Sequence, residues 1–204
     1  MEAGPPRSTD PHGPSGSPLP IPDTALIGRE LEIARLRAMV DLPGLVTITG
    51  EGGVGKTRLV LEVAQRQDRP VVFVPLADLD RTGATLAIRR VCAPLLLSRF
   101  DAATGTLREA SPATAPSAPP GEPGLLILDS VEQVGQISDL IAEIRTTVPA
   151  MTIVVTSRSR LSLSNERVLH LIGLPTGPDG AAVELFLTRS RAVGADTTWM
   201  DDQR

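Results

Sequence analysis

Residues 50–58 read GEGGVGKTR, and Lys56 inside that stretch is the only lysine among 20 basic side chains. Gly50, Gly55, Lys56 and Thr57 fit the pattern G-x-x-x-x-G-K-[ST], with Gly52, Gly53 and Val54 in its interior and Arg58 just after it. Each residue type has a chemical reason. Glycines let the backbone curl until successive N–H groups point inward, which suits phosphate oxygens. A helix starting at Lys56 adds the positive end of its dipole. The Thr57 hydroxyl suits Mg²⁺. Lys56 brings a compact charge on a flexible stem to the β- and γ-phosphates, where the wide planar fork of arginine fits poorly. The chain's Ala, Arg, Gly and Pro bias makes arginine the default base, so lysine survives where its shape matters. The alternative is a chance glycine-rich turn. With glycine at about 7% of residues, a random chain of this length matches on the order of one time in a hundred.

A phosphate loop needs an acidic partner at the end of a neighbouring apolar strand, holding Mg²⁺ through its water shell. LLILD ends at Asp129 and meets that requirement. A strand-end turn residue or helix N-cap is the other reading of Asp129. Glu132 is placed to orient or deprotonate an attacking water, or is an ordinary first-turn glutamate. Thr156, Ser157 and Arg158 close a later strand, and an arginine there reaches a γ-phosphate. Arg160 lies close by as the solvated member of the pair.

The elements that must position these groups follow from the apolar pattern. LIGRELEIARLRAMV puts Leu31, Ile33, Ala34, Leu36 and Val40 at helical spacing, and Pro43-Gly44 ends that helix. LVTIT (45–49), VVFVPL (71–76), GLLILD (124–129), MTIVVTS (151–157) and RVLHLIGL (167–174) read as strands. KTRLVLEVAQRQ (56–67), residues 84–98 with an end or bend near Pro94, EQVGQISDLIAEIRTTV with a weak spot at Gly135, and AAVELFLTRSRAV capped by Asp179 or Gly180 read as helices. Continuously apolar strands alternating with helices predict an α/β fold: a parallel sheet covered on both faces. Its ligand belongs at the carboxyl ends of the strands.

Residues 1–22 hold many Pro, Gly and Ser and few apolar groups, and predict a disordered tail. Residues 101–123 predict a flexible Ala/Pro-rich surface loop. Hydrophobic residues make up 41% of the 204-residue chain, enough for one core, and that core is aliphatic, with three Phe, one Trp and no Tyr. A formal net charge of −4 argues against a free-standing nucleic-acid-binding domain. Cys92 is alone, which excludes a disulfide framework or cysteine cluster within the chain and reads as a small core residue. No apolar run approaches the roughly 18 residues of a membrane span. The first residues lack a secretory h-region, so a cytoplasmic location is expected.

LIGRE, GEGGVGKTRLVLEVA, LLILDSVEQV, VVTSRSRL and AVELFLTRSRAV occur in the order and spacing of the STAND ATPases. Over about residues 25–195 the chain resembles the NB-ARC-type module of bacterial LuxR- and SARP-type transcriptional regulators. The resemblance implies a three-layer P-loop NTPase with strand order 5-1-4-3-2. It implies Ile27, Gly28 and Arg29 near the adenine, Arg158 as phosphate sensor, ATP or ADP with Mg²⁺ as cofactors, and slow switching through other domains or protomers. The core is then residues 23–175, and 176–204 open a helical subdomain that is truncated at Arg204. Relatives carry an acidic or amide residue directly after the strand-end aspartate, where this chain has Ser130. That departure argues for slow or no hydrolysis. Two other functions compete: a non-hydrolysing interaction module, and a small-molecule kinase. The single Arg108 in the 101–123 loop counts against the kinase. The absence of a guanine-reading N-K-x-D pattern favours adenine.

Overall fold

In the computed structural model, the described residues are 19–22, 24–97, 100–101, 106–107, 124–134 and 137–194. Five strands form one parallel sheet: β1 (Gly44–Thr49), β2 (Val71–Pro75), β3 (Leu125–Asp129), β4 (Thr152–Ser157) and β5 (Arg167–His170). Their spatial order is β2-β3-β4-β1-β5, the expected 5-1-4-3-2. Helices α1 (Glu30–Val40), α2 (Lys56–Ala64), α3 (Arg81–Leu97), α4 (Ser138–Thr147) and α5 (Ala181–Ala192) complete the chain.

Strand periodicity divides the core in two. Along β3, Leu126 and Leu128 join Ile88, Cys92, Ile141 and Ile144 under α3 and α4. Leu125 and Ile127 join Leu36, Val40, Leu59 and Val63 under α1 and α2. Every residue of β3 and β4 is buried, as a central strand between helical layers requires. Cys92 is a core residue, and burial pushes its thiol up to about 11.

Several expected boundaries move. The fifth strand stops at His170 rather than continuing to 174. Helix α1 buries Leu36 and Val40 but leaves Leu31 60% exposed and Ala34 exposed, so its apolar stripe is narrower than the spacing suggested. Helix α3 starts at Arg81 and runs through Pro94 to Leu97. The helix expected from Glu132 onward is two pieces, a 3-10 turn at Val131–Gln133 and then α4 from Ser138. Gly135, the expected weak spot, lies outside the described residues. Gly180 is the cap of α5, without a side-chain cap bond. In the expected tail, residues 1–18 lie outside the described residues, while Leu19 packs on the core and Gln65 donates to the Pro20 carbonyl. Of the 101–123 loop, Thr106–Leu107 pairs antiparallel with Phe100–Asp101, and 108–123 lie outside the described residues. Among the described residues no helix is long and apolar enough to cross a membrane.

Candidate functional site

β1 delivers the glycine loop to the carboxyl edge of the sheet, and α2 begins on the far side of it. The loop needs its glycines for conformation: φ is +152° at Gly50, +76° at Gly53 and +100° at Gly55. Nothing lies within 4 Å of a Cβ added at Gly53 or Gly55, so backbone angle alone demands glycine there. Gly50 carries a second restriction, because its Cβ would meet the Leu171 carbonyl at 2.3 Å. Glu51, Gly52 and Gly53 are exposed while Lys56 is buried.

Lys56 Nζ donates to the carbonyls of Gly50 at 2.8 Å and Glu51 at 2.9 Å. The ammonium thus lies across the mouth of its own loop. Thr57 Oγ1 donates to Asp129 Oδ1 at 2.7 Å, which joins the first turn of α2 to the end of β3. Asp129 is 8% exposed. Its Oδ1 takes a second hydrogen from Thr156 Oγ1 at 2.6 Å, and Thr156 Oγ1 accepts from the Ser130 N–H at 2.8 Å. Ser130 itself sits in the left-handed region, at φ 65° and ψ 48°.

Glu132 and Arg158 meet at the rim, with Arg158 Nε 3.7 Å from Glu132 Oε1. The Arg158 guanidinium also passes 3.8 Å from a Cβ position at Gly52, so it stands over the loop. Arg158 and Arg160 are both exposed; Arg158 is the one facing Glu132. Glu132 Oε2 is buried and among the described residues has no hydrogen-bond partner, which is costly for a carboxylate oxygen.

The amino-terminal residues pack beside the loop. Arg29 is 4% exposed, and its guanidinium is held by Glu32 Oε1 at 2.8 Å, the Ile172 carbonyl at 2.6 Å and the Val54 carbonyl at 3.3 Å. It clamps the loop to the segment after β5. Gly28, at φ +66°, packs where a Cβ would lie 2.3 Å from Ala181 Cβ at the head of α5, and Ile27 is half-buried. Arg58 donates to Glu62 Oε2 and to the Thr24 carbonyl. Sequence reading named Thr156 only as a polar strand end. The signal for its role was its place one residue beyond the β3–β4 register that pairs Leu128 with Val155, which sets it beside Asp129.

A parallel sheet of order 5-1-4-3-2 with this loop after β1 and an aspartate ending β3 defines a P-loop ATPase module. The family model described as "AAA ATPase domain" matches residues 25–163, and the chain belongs to that family. An uncharacterised protein of Mycobacterium tuberculosis is 26% identical over 183 residues, covering 85% of this chain and 43% of its own length. A second M. tuberculosis protein, named "Putative HTH-type transcriptional regulator", is 29% identical over 163 residues, covering 78% of this chain and 17% of its own length. The chain therefore spans less than half the length of these relatives. A solved STAND protein with a tetratricopeptide repeat sensor, from Pyrococcus horikoshii, aligns over 84% of this chain and 26% of its own, at TM-score 0.48 and 16% identity.

Proposed function

We propose that the chain is the nucleotide-binding switch of a larger signalling or transcriptional regulator, binding ATP or ADP with Mg²⁺ and hydrolysing ATP slowly. The Thr57–Asp129 hydrogen bond carries this reading. The single hydroxyl hydrogen of Thr57 is committed to Asp129, which turns its lone pairs toward the loop mouth, where a hard cation takes oxygen ligands. The second carboxylate oxygen of Asp129 is left for the cation's water shell. The residue set fits the pair: backbone N–H groups of 50–58 for phosphate, Lys56 for the β- and γ-oxygens, Thr57 and Asp129 for Mg²⁺. The cation, when bound, neutralises charge developing on the phosphates.

Glu132 then orients the water, and its unpartnered Oε2 supplies the acceptor. Arg158 leaves Glu132 for the γ-phosphate, a small movement for an exposed guanidinium. Ile27 and Gly28 flank the base. Arg29, with its donors held by Glu32, Val54 and Ile172, contributes by fixing the loop wall. The resemblance to regulators supports partner domains or protomers as the recipients of the signal.

The decisive test is thermal unfolding with and without Mg-ATP and Mg-ADP. A ligand that binds only the folded state raises the midpoint by mass action. The wild-type midpoint rises, and Lys56→Ala abolishes the rise while leaving the ligand-free midpoint close to wild type. No shift in the wild type at millimolar nucleotide would overturn the reading. The Glu132–Arg158 ion pair favours a second reading, a non-hydrolysing switch, and turnover separates the two: no wild-type turnover above that of Lys56→Ala selects the binder, and wild-type turnover that falls in Glu132→Gln selects the ATPase.

A further inference from the structure

We propose that Thr156 is a positioning residue for the cation. Its hydroxyl holds the Asp129 carboxylate in place and ties it to the strand end that carries Arg158. The inference rests on the Mg-nucleotide reading above and assigns a role to a residue that touches neither phosphate nor metal.

Three observations carry it. First, the hydrogen bonds run in one direction. The Ser130 N–H donates to Thr156 Oγ1 at 2.8 Å, and Thr156 Oγ1 donates to Asp129 Oδ1 at 2.6 Å. A hydroxyl has one hydrogen, so both of its roles here are committed, and it has no freedom to rotate away. Second, Asp129 Oδ1 takes two hydroxyl hydrogens, from Thr57 at 2.7 Å and from Thr156. Both fall on the same oxygen. The carboxylate rotor is therefore fixed with no hydrogen bond to Oδ2 among the described residues, the arrangement that outer-shell partners impose on metal-side carboxylates. Third, Thr156 is fully buried in a strand with no exposed residue. Its β-branched χ1 is stiff and the strand backbone cannot shift alone.

The consequence is mechanical. Arg158 is two residues beyond Thr156 on the same strand end, and stands 3.7 Å from Glu132 and over Gly52. Thr156 thus holds the strand end and the Asp129 carboxylate in one fixed relation, and Arg158 swings from that fixed base.

The test is the Mg²⁺ dependence of ADP binding to the full chain, measured by calorimetric titration in EDTA and in excess Mg²⁺. Thr156→Val keeps the shape and removes the hydroxyl. Its affinity in EDTA stays within about twofold of wild type, while the tightening produced by Mg²⁺ falls about tenfold, the loss typical of an outer-shell partner. Thr156→Ser restores the response. On an Asp129→Asn background, Thr156→Val adds nothing further, because its effect passes through that carboxylate. A wild-type Mg²⁺ response in Thr156→Val overturns the inference and leaves the nucleotide reading standing. Absence of ADP binding in the wild type overturns both. Should Thr156→Val not fold, Thr156→Cys, with a weaker donor, shows an intermediate loss; a full wild-type response in Thr156→Cys overturns the proposal equally.

Discussion

The two ends of the sheet share one device, a basic side chain bonded to backbone carbonyls, and differ in what stands beside it. At the amino end, arginines are bonded to backbone carbonyls. Arg69 donates to the Val40 carbonyl and to Thr152 Oγ1, Arg167 to the carbonyls of Leu42 and Pro43, and Arg145 to the Ser164 carbonyl. At the carboxyl end, Arg29 and Lys56 are also bonded to backbone carbonyls, but Thr57, Thr156 and Asp129 are bonded to one another, and Gly50, Gly53, Gly55 and Ser130 shape the chain around them with positive φ. A depression of about 790 Å³ lies at the amino end, lined by Leu42, Pro43, Arg145, Met151, Glu166 and Arg167 among others. The amino end fixes chain segments to one another, and the carboxyl end adds to such a clamp the linked hydroxyls and carboxylate of Thr57, Thr156 and Asp129.

The sharpest way to break that division is Arg69→Ala. Its guanidinium joins Gln67, Thr152 and Val40, and its stem covers Gly124, where a Cβ would lie 2.4 Å from Arg69 Cδ. Removing two or three hydrogen bonds at about 1 kcal/mol each costs about 2–3 kcal/mol. In a chain of this size the unfolding midpoint falls by roughly 5–10 °C. The rise produced by nucleotide stays at the wild-type size. An unchanged midpoint with a lost nucleotide response would invert the comparison.

Gly55→Ala probes the other end with a smaller effect. The new methyl meets no atom within 4 Å, so its whole cost is backbone strain at φ +100°. That cost is about 1–2 kcal/mol, read as a lower midpoint together with weaker nucleotide binding. Gly173→Ala is the control, since it also meets nothing within 4 Å and has no positive φ. Equal effects from the two would mean that space, and not loop conformation, decides.

What was legible in the sequence follows the same division. The loop and Asp129 were readable because each depends on a local pattern: glycine spacing, and a continuous apolar run with a polar end. The strand order 5-1-4-3-2 came only with the family resemblance, since no local pattern sets which strands lie side by side. The clamp made by Arg29 was not readable, because its carbonyl partners lie 25 and 143 residues away. Nor was the break before α4. Apolar spacing continues across Val131, Val134 and Ile137, all of them buried, so periodicity alone joins a 3-10 turn to a helix that begins at Ser138. The arginines of the amino end read as a compositional default, and only the fold shows each one meeting a carbonyl.

Ser130 carries the smallest expected effect and the most specific question. The family resemblance implies a chemical role for the residue after Asp129, since an acid or amide is common there. The geometry offers a conformational reason instead. Ser130 sits at φ 65°, ψ 48°, where Asn and Asp are several-fold enriched among non-glycine residues. Its N–H is already committed to Thr156, so the backbone is held in that region whatever the side chain. Ser130→Asn should therefore stabilise the chain by about 0.5 kcal/mol and raise the midpoint by roughly 1–2 °C. Ser130→Val, β-branched and ill-suited to that region, should lower stability by about 1–2 kcal/mol. The Mg²⁺ response of both should match wild type, because neither change removes a hydrogen bond to Asp129. Should Ser130→Asn instead speed ATP turnover at an unchanged midpoint, the side chain acts on the chemistry, and the carboxyl end has one more working residue than its geometry assigns.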